Sequence, residues 1–174
     1  MLYTDAWLDE KPYKEIYDGR VHPKVSPQLR HMLVQGTVIA LLFEWGRERG
    51  VSGPEWRVYL DENTSLVPDV SFMSDERLRQ IPEEQREKPP ISPELIVEIR
   101  SPQNRERNIR RKTTLYLEHG AVAVLEVDPA RRLVHVTTRE GESTLQAGDS
   151  FTHSAFLGLT LPVDAIFAPL ERLS

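Results

Sequence analysis

The sequence predicts one α/β domain, with a mixed central sheet flanked by helices and β-hairpins towards the C-terminus. Three observations carry this. A strand-like run, PELIVEIRS, is followed at once by a helical stretch, NRERNIRRKTTLYLEHG, and a second apolar strand, AVAVLEVDP. That order is the signature of a crossover joining two parallel strands, which is right-handed by rule. A long apolar helix precedes this unit, and alternating hairpin-like segments follow it.

The segments read as follows. Residues 1–25 are polar and turn-rich, and YKEIYDGRVH reads as two short extended pieces about an Asp-Gly turn, an N-terminal extension packing on the domain. Residues 26–50 form the clearest helix, capped by Ser26, with Pro27 at its first position and Gly50 closing it. Its apolar residues cover more than half its circumference, which implies burial against the sheet and a further contact with a second chain. WRVYL, residues 56–60, is a strand, DENTS a turn, and LVPDVSFM, residues 66–73, the next strand, with Pro68 marking an edge position or a strand start. Residues 74–93 read as a short helix and a surface loop. Strand 93–101, helix 104–120 and strand 121–129 follow, and residues 131–140 pair back through the DPAR turn. Short strands around 143–152 and 157–163 and a last short helix complete the chain.

Composition sets limits on function. The 174 residues suffice for one domain with a real core (1–174), and 39% hydrophobic residues mark a globular chain. Without cysteine there is no disulfide framework, thiol nucleophile or cysteine-bound zinc. No apolar run reaches the roughly 18 residues that a membrane span needs. The opening residues do not resemble a secretory signal, so a cytoplasmic protein is expected. The formal charge of −5 argues against bulk electrostatic attraction to nucleic acid. Positive charge is concentrated locally instead: Arg100, Arg105, Arg107, Arg110, Arg111 and Lys112 stand against Glu106 alone.

The residues that can carry chemistry are two carboxylates and a lysine. Asp69 in LVPDVSF and Glu98 in LIVEIRS sit inside apolar strand patterns. An ionised carboxylate is costly to bury unless a cation or donor meets it. Two on neighbouring strands can share a hard cation such as Mg²⁺, which accepts one or two protein carboxylates and keeps several waters. Lys112 lies three residues after Ile109 and four before Tyr116, on or beside the helix face turned to the sheet. Structural readings remain open for each. Asp69 can be a turn or cap residue, Glu98 can pair with Arg100 or a helical arginine, Lys112 can extend to solvent, and the arginines can be a solvated face.

Taken in order, VPDVSFMS and PELIVEIRSPQNRERNIRRKTTLYLEHGAVAVLEVDP resemble the restriction endonuclease family often called Uma two. That family shows a PDV strand, a strand ending in EV-x-SP, a helix with a lysine leading to Y-x-x-x-GV, and a strand ending in VDP. YKEIYDGRV followed by SPQLRH is similar to its opening, so the resemblance spans about residues 13–167.

The resemblance implies a restriction-endonuclease-like PD-(D/E)xK fold and a Mg²⁺- or Mn²⁺-dependent endonuclease acting on DNA. Asp69 and Glu98 would be metal ligands, with the backbone carbonyl of Ile99 as a third, Lys112 the lysine, and Glu15 a supporting acid. Arg100, Arg105, Arg107, Arg110 and Arg111 would contact backbone phosphates, and a homodimer would suit cutting both strands. Three features depart from the family pattern. Arg100 stands two after Glu98, where the nuclease motif has lysine, Asn108 replaces a frequent aspartate, and the last strand lacks an aromatic pair. They motivate the alternative, a catalytically silent nucleic-acid-binding or oligomeric assembly module. No histidine pair at ligand spacing supports a zinc hydrolase.

Overall fold

The computed structural model describes residues 4–24, 27–102 and 106–173. A short helix α1 (Asp5–Asp9) leads into the hairpin β1 (Lys14–Tyr17) and β2 (Arg20–Pro23). Helix α2 (Leu29–Gly46) follows, then β3 (Gly50–Pro54), β4 (Val58–Asp61), β5 (Thr64–Leu66) and β6 (Val70–Ser74). After α3 (Asp75–Gln80) and a loop come β7 (Leu95–Ile99), α4 (Glu106–Glu118), β8 (Ala123–Asp128) and β9 (Leu133–Thr138). The chain ends with β10 (Glu142–Leu145), β11 (Ser150–Phe151), β12 (Leu161–Pro162), α5 (Val163–Phe167) and a 3₁₀ turn over Ala168–Leu173.

The main sheet has six strands in the order β10-β9-β8-β7-β6-β3. Only the β7–β8 pair in it is parallel, so the sheet is mixed and α4 is the crossover between parallel neighbours. A second sheet, β2-β1-β5-β4, is built from the N-terminal hairpin and residues 58–66, and β11 and β12 form a separate pair.

Strand alternation divides β7 between two cores. Leu95, Val97 and Ile99 pack in one cluster with Val34, Val38 and Leu42 of α2 and with Ile166 and Phe167 of α5. Ile96 packs in the other with Leu115 and Tyr116 of α4 and with Val58 and Leu66 of the small sheet. Glu98 shares the parity of Ile96 and therefore belongs to the α4 side. All five residues of β7 are buried, which is why the strand reads as a continuous apolar run.

Several elements differ from the sequence reading. Helix α2 begins at Leu29 with Gln28 at its N-cap and no side-chain cap, and the expected cap Ser26 lies outside the described residues. Gly50 does not close the helix, since it opens β3. The run 66–73 is not one strand. It ends β5 at Leu66 and resumes as β6 at Val70, so the Val67-Pro68-Asp69 step carries the chain from the small sheet to the large one. Proline, which has no amide hydrogen to give a ladder, marks this break. β6 itself lies inside the sheet, between β3 and β7.

Strand β3 had little sequence signal, because GVSGP holds one β-branched residue, Val51, among two glycines and a proline that disfavour strands. It forms the sheet edge, where Pro54 is tolerated. Gly50 is needed there: a Cβ at this position would collide with the Met73 carbonyl oxygen on the paired strand. Gly50→Ala is expected to lower stability by about 1–3 kcal/mol, as overpacking does. Urea denaturation would check this, and an unchanged midpoint would refute it.

A buried carboxylate–lysine centre between two sheets

Register places the two candidate carboxylates side by side. Val70 of β6 pairs with Val97 of β7, so Asp69, one residue before β6, lies next to the Glu98–Ile99 end of β7. The Ile99 amide donates to Asp69 Oδ2 at 2.6 Å, and Gln35 of α2 donates to the Asp69 carbonyl at 2.9 Å. Asp69 is 2% exposed and Glu98 8%. Both line a cavity of about 400 Å³ together with Glu15, Lys24, His31 and Lys112.

Lys112 extends from α4 to the sheet, not to solvent. Its Nζ lies 2.8 Å from Glu15 Oε1 and 2.7 Å from Glu98 Oε1. Glu15 Oε1 also accepts the Val67 amide at 2.8 Å, which ties β1 to the step before Asp69. One turn after Lys112, the Tyr116 hydroxyl donates to Glu98 Oε1 at 2.9 Å. Glu98 is thus held by a lysine and a tyrosine of one helix, not by Arg100.

Two groups complete the centre that sequence reasoning did not single out. Lys24, just after β2, places its Nζ 2.7 Å from Asp69 Oδ1 and donates to the Val67 carbonyl at 2.7 Å. His31 of α2 sets Nε2 3.4 Å from Asp69 Oδ1 while Ser101 Oγ lies 3.5 Å from its Nδ1. The Nε2–H tautomer satisfies both contacts, with the imidazole donating to Asp69 and accepting from Ser101. His31 is 7% exposed, and its signal in the sequence was only its place in SPQLRH. Lys24 had none, because its partner is set by the fold.

The protonation states follow from burial and neighbours. Burial alone would raise the Asp69 carboxyl, but the Lys24 charge and His31 override it and hold Asp69 well below the usual carboxylate range. Burial pushes Glu98 upward, and the charge of Lys112 only partly opposes this. Burial also works against the Lys112 ammonium, yet Glu15 and Glu98 hold its pKa above the ordinary lysine value. With all five groups ionised, three carboxylates face two ammonium groups, a near-balanced cluster.

The residues fit a hard divalent cation. Asp69 and Glu98 present hard carboxylate oxygens from adjoining positions, and Asp69 Oδ1 faces the Lys24 ammonium at 2.7 Å and His31 Nε2 at 3.4 Å. Asp69, Glu98 and the Ile99 backbone, which also lines the cavity, would be the donors on the protein side. Among the described residues no three His, Asp or Glu side chains converge as a ligand set, so water would fill the other positions. That suits Mg²⁺ better than a site made wholly of side chains.

The arginines separate. Arg107 and Arg111 line a recess beside the centre, with Asn108 shared between the two cavities. Arg100 instead pairs with Glu126 at 2.6 Å and lies 3.8 Å from Asp128, both on β8. Arg110 pairs with Glu106 at 3.0 Å on the exposed side of α4. Arg100 and Arg110 line a larger groove, of about 630 Å³, that also holds Glu126 and Glu142 and none of the carboxylates of the centre. Arg105 lies outside the described residues.

A mixed sheet with adjacent carboxylates at a strand break and a strand end, answered by a lysine from the crossover helix, is the restriction-endonuclease-like architecture. The profile of the family described as "Uma2: Putative restriction endonuclease" matches residues 3–164, and the chain belongs to that family. The fold also matches a crystal structure described as "a putative nuclease belonging to DUF820 from Anabaena variabilis". The TM-score is 0.80 at 21% identity, over 90% of each chain. No curated protein matches the sequence. No helix among the described residues is long and apolar enough to cross a membrane.

Proposed function

We propose that this protein is a Mg²⁺- or Mn²⁺-dependent endonuclease hydrolysing phosphodiester bonds of DNA. The observation that carries the reading is the buried Lys112 ammonium beside Glu98, with the buried Asp69 carboxylate on the adjoining step. A bound divalent ion would polarise the scissile phosphate and lower the pKa of a coordinated water. Asp69, Glu98 and the Ile99 carbonyl would hold it.

The protein groups have separate tasks. Lys112 lies within hydrogen-bond distance of two carboxylates that favour its charged form, so we assign it an electrostatic task. It offsets negative charge developing on the phosphate and orients the attacking water. Glu15 holds the Lys112 ammonium and, through the Val67 amide, fixes the approach to Asp69. Tyr116 orients Glu98. Two copies would serve the two strands of a duplex, and we place the protein in the cytoplasm as a homodimer.

One observation favours a second reading, the catalytically silent binding or assembly module. Lys24, His31 and the Ile99 amide already surround Asp69, so the cluster is nearly neutral within the protein itself.

Plasmid nicking by purified protein with Mg²⁺ and then Mn²⁺, beside Asp69→Ala and Glu98→Ala, separates the two. Metal-dependent nicking that both variants lose is the expected result. No cutting of plasmid, single-stranded DNA or RNA with either ion would leave the silent module.

A further inference from the structure

The cavity around Asp69 and Glu98 continues beyond Lys112. It shares Tyr17, His22 and Asn108 with a second recess of about 390 Å³, to which Arg20, Arg107 and Arg111 contribute. The Tyr17 and His22 rings stack at 3.8 Å with planes 8° apart and belong to the lining of both spaces. His22 Nε2 is buried there without a hydrogen-bond partner.

The hairpin tip explains how arginines from two elements meet. Tyr17 pairs with Arg20, which leaves Asp18 and Gly19 as a two-residue turn. Their φ values are 50° and 67°, the left-handed pair of a type I′ hairpin. Arg111 grips the Asp18 carboxylate with Nε at 2.8 and 3.1 Å and Nη2 at 2.7 Å. This fork pins the tip against α4. Arg20 follows the turn directly, and Arg107 sits one turn before Arg111 on the same helix side. Both are exposed, and neither has a carboxylate at ion-pair distance among the described residues.

Asp18 neutralises one of three arginines, so the recess is positive and adjoins the acidic centre. Planar guanidinium groups suit phosphate oxygens. We infer that the recess formed by Arg20, Arg107 and Arg111 binds the phosphate next to the scissile one on a nucleic-acid strand lying across the Asp69–Glu98 centre. This rests on the nuclease reading and adds to it the direction in which the strand leaves the centre. A run of adjoining anion positions fits a polynucleotide, not an isolated phosphate. It also assigns phosphate contact to Arg20, which lies outside the basic cluster of α4.

The test is fluorescence anisotropy with labelled single-stranded and duplex 12-mer DNA in EDTA, at a series of KCl concentrations. The variants are Arg20→Ala/Arg107→Ala and, on exposed α3, Arg79→Ala. Each lost phosphate contact reduces the slope of log affinity against log salt by about 0.7–0.9. The double variant is expected to bind at least about tenfold more weakly at low salt, with a shallower slope. Arg79→Ala is expected to match wild type. Because both arginines are exposed, circular dichroism melting of the double variant is expected to match wild type, so weaker binding reports the contacts.

An unchanged slope in the double variant, or no binding by wild type, overturns the inference. The nuclease reading fails separately. Salt-dependent binding through Arg20 and Arg107 without metal-dependent cutting would keep the recess and remove the enzyme, and cutting with an unchanged slope would do the reverse.

Discussion

Lys112→Met is expected to destabilise the protein by about 3–5 kcal/mol, the usual effect of removing one partner from a buried ionic cluster. The cause is the carboxylates left behind. Glu15 is 5% exposed and Glu98 8%, and both lose the same ammonium. Methionine matches the length of the lysine stem, so packing changes little and the deficit is electrostatic. A combined Lys112→Met, Glu15→Gln, Glu98→Gln variant is therefore expected to recover most of the stability, since no unpaired buried charge remains. It is not expected to recover nicking. Urea denaturation at neutral pH measures both effects. A single Lys112→Met variant within about 1 kcal/mol of wild type, the range of an exposed ion pair, would show that the lysine is not electrostatically committed to the cluster.

Asp69→Asn has the second large effect, and it depends on pH. The folded-state pKa of Asp69 lies below its ordinary value of 3.8, through Lys24 and His31 acting against burial. A depressed carboxyl contributes stability above its unfolded pKa and loses it as pH falls towards the folded value. The stability gap between wild type and Asp69→Asn is thus expected to be full at neutral pH, about 3–5 kcal/mol. It is expected to close progressively below about pH 5. Melting curves from pH 7 to pH 3 would show this. A gap that stays constant or widens on acidification would contradict the assignment. The same variant tests the cation reading. Mn²⁺ that binds only the native state raises the melting temperature, and Asp69→Asn is expected to abolish that rise.

How much of this could be read from the sequence depended on whether the relevant contact was local. Glu98 was legible because a carboxylate inside LIVEI breaks an apolar run, and Lys112 because its spacing from Ile109 and Tyr116 fixes its helix face. The crossover was legible for the same reason: each element repeats its own period. Strand β3 was not, because it is defined by its pairing with β6 and not by its own glycine-rich sequence. Lys24 and His31 were not, since each meets Asp69 only through the stacking of separate elements. The basic cluster was visible as composition, but the direction of each arginine was not. The acids of β8 draw Arg100 away, and the hairpin tip captures Arg111.

The centre draws Glu15 and Lys24 from the first hairpin, His31 from α2, Asp69 from the step between sheets, and Glu98 and Lys112 from the crossover unit. No contiguous stretch of chain contains it. In a chain made from the N-terminus, Lys112 arrives last of these, and strands β8, β9 and β10 of the main sheet follow it. A chain that ends before α4 therefore carries the three carboxylates without Lys112. Assembly of the buried cluster thus waits on the crossover unit, which brings Glu98 and Lys112 together.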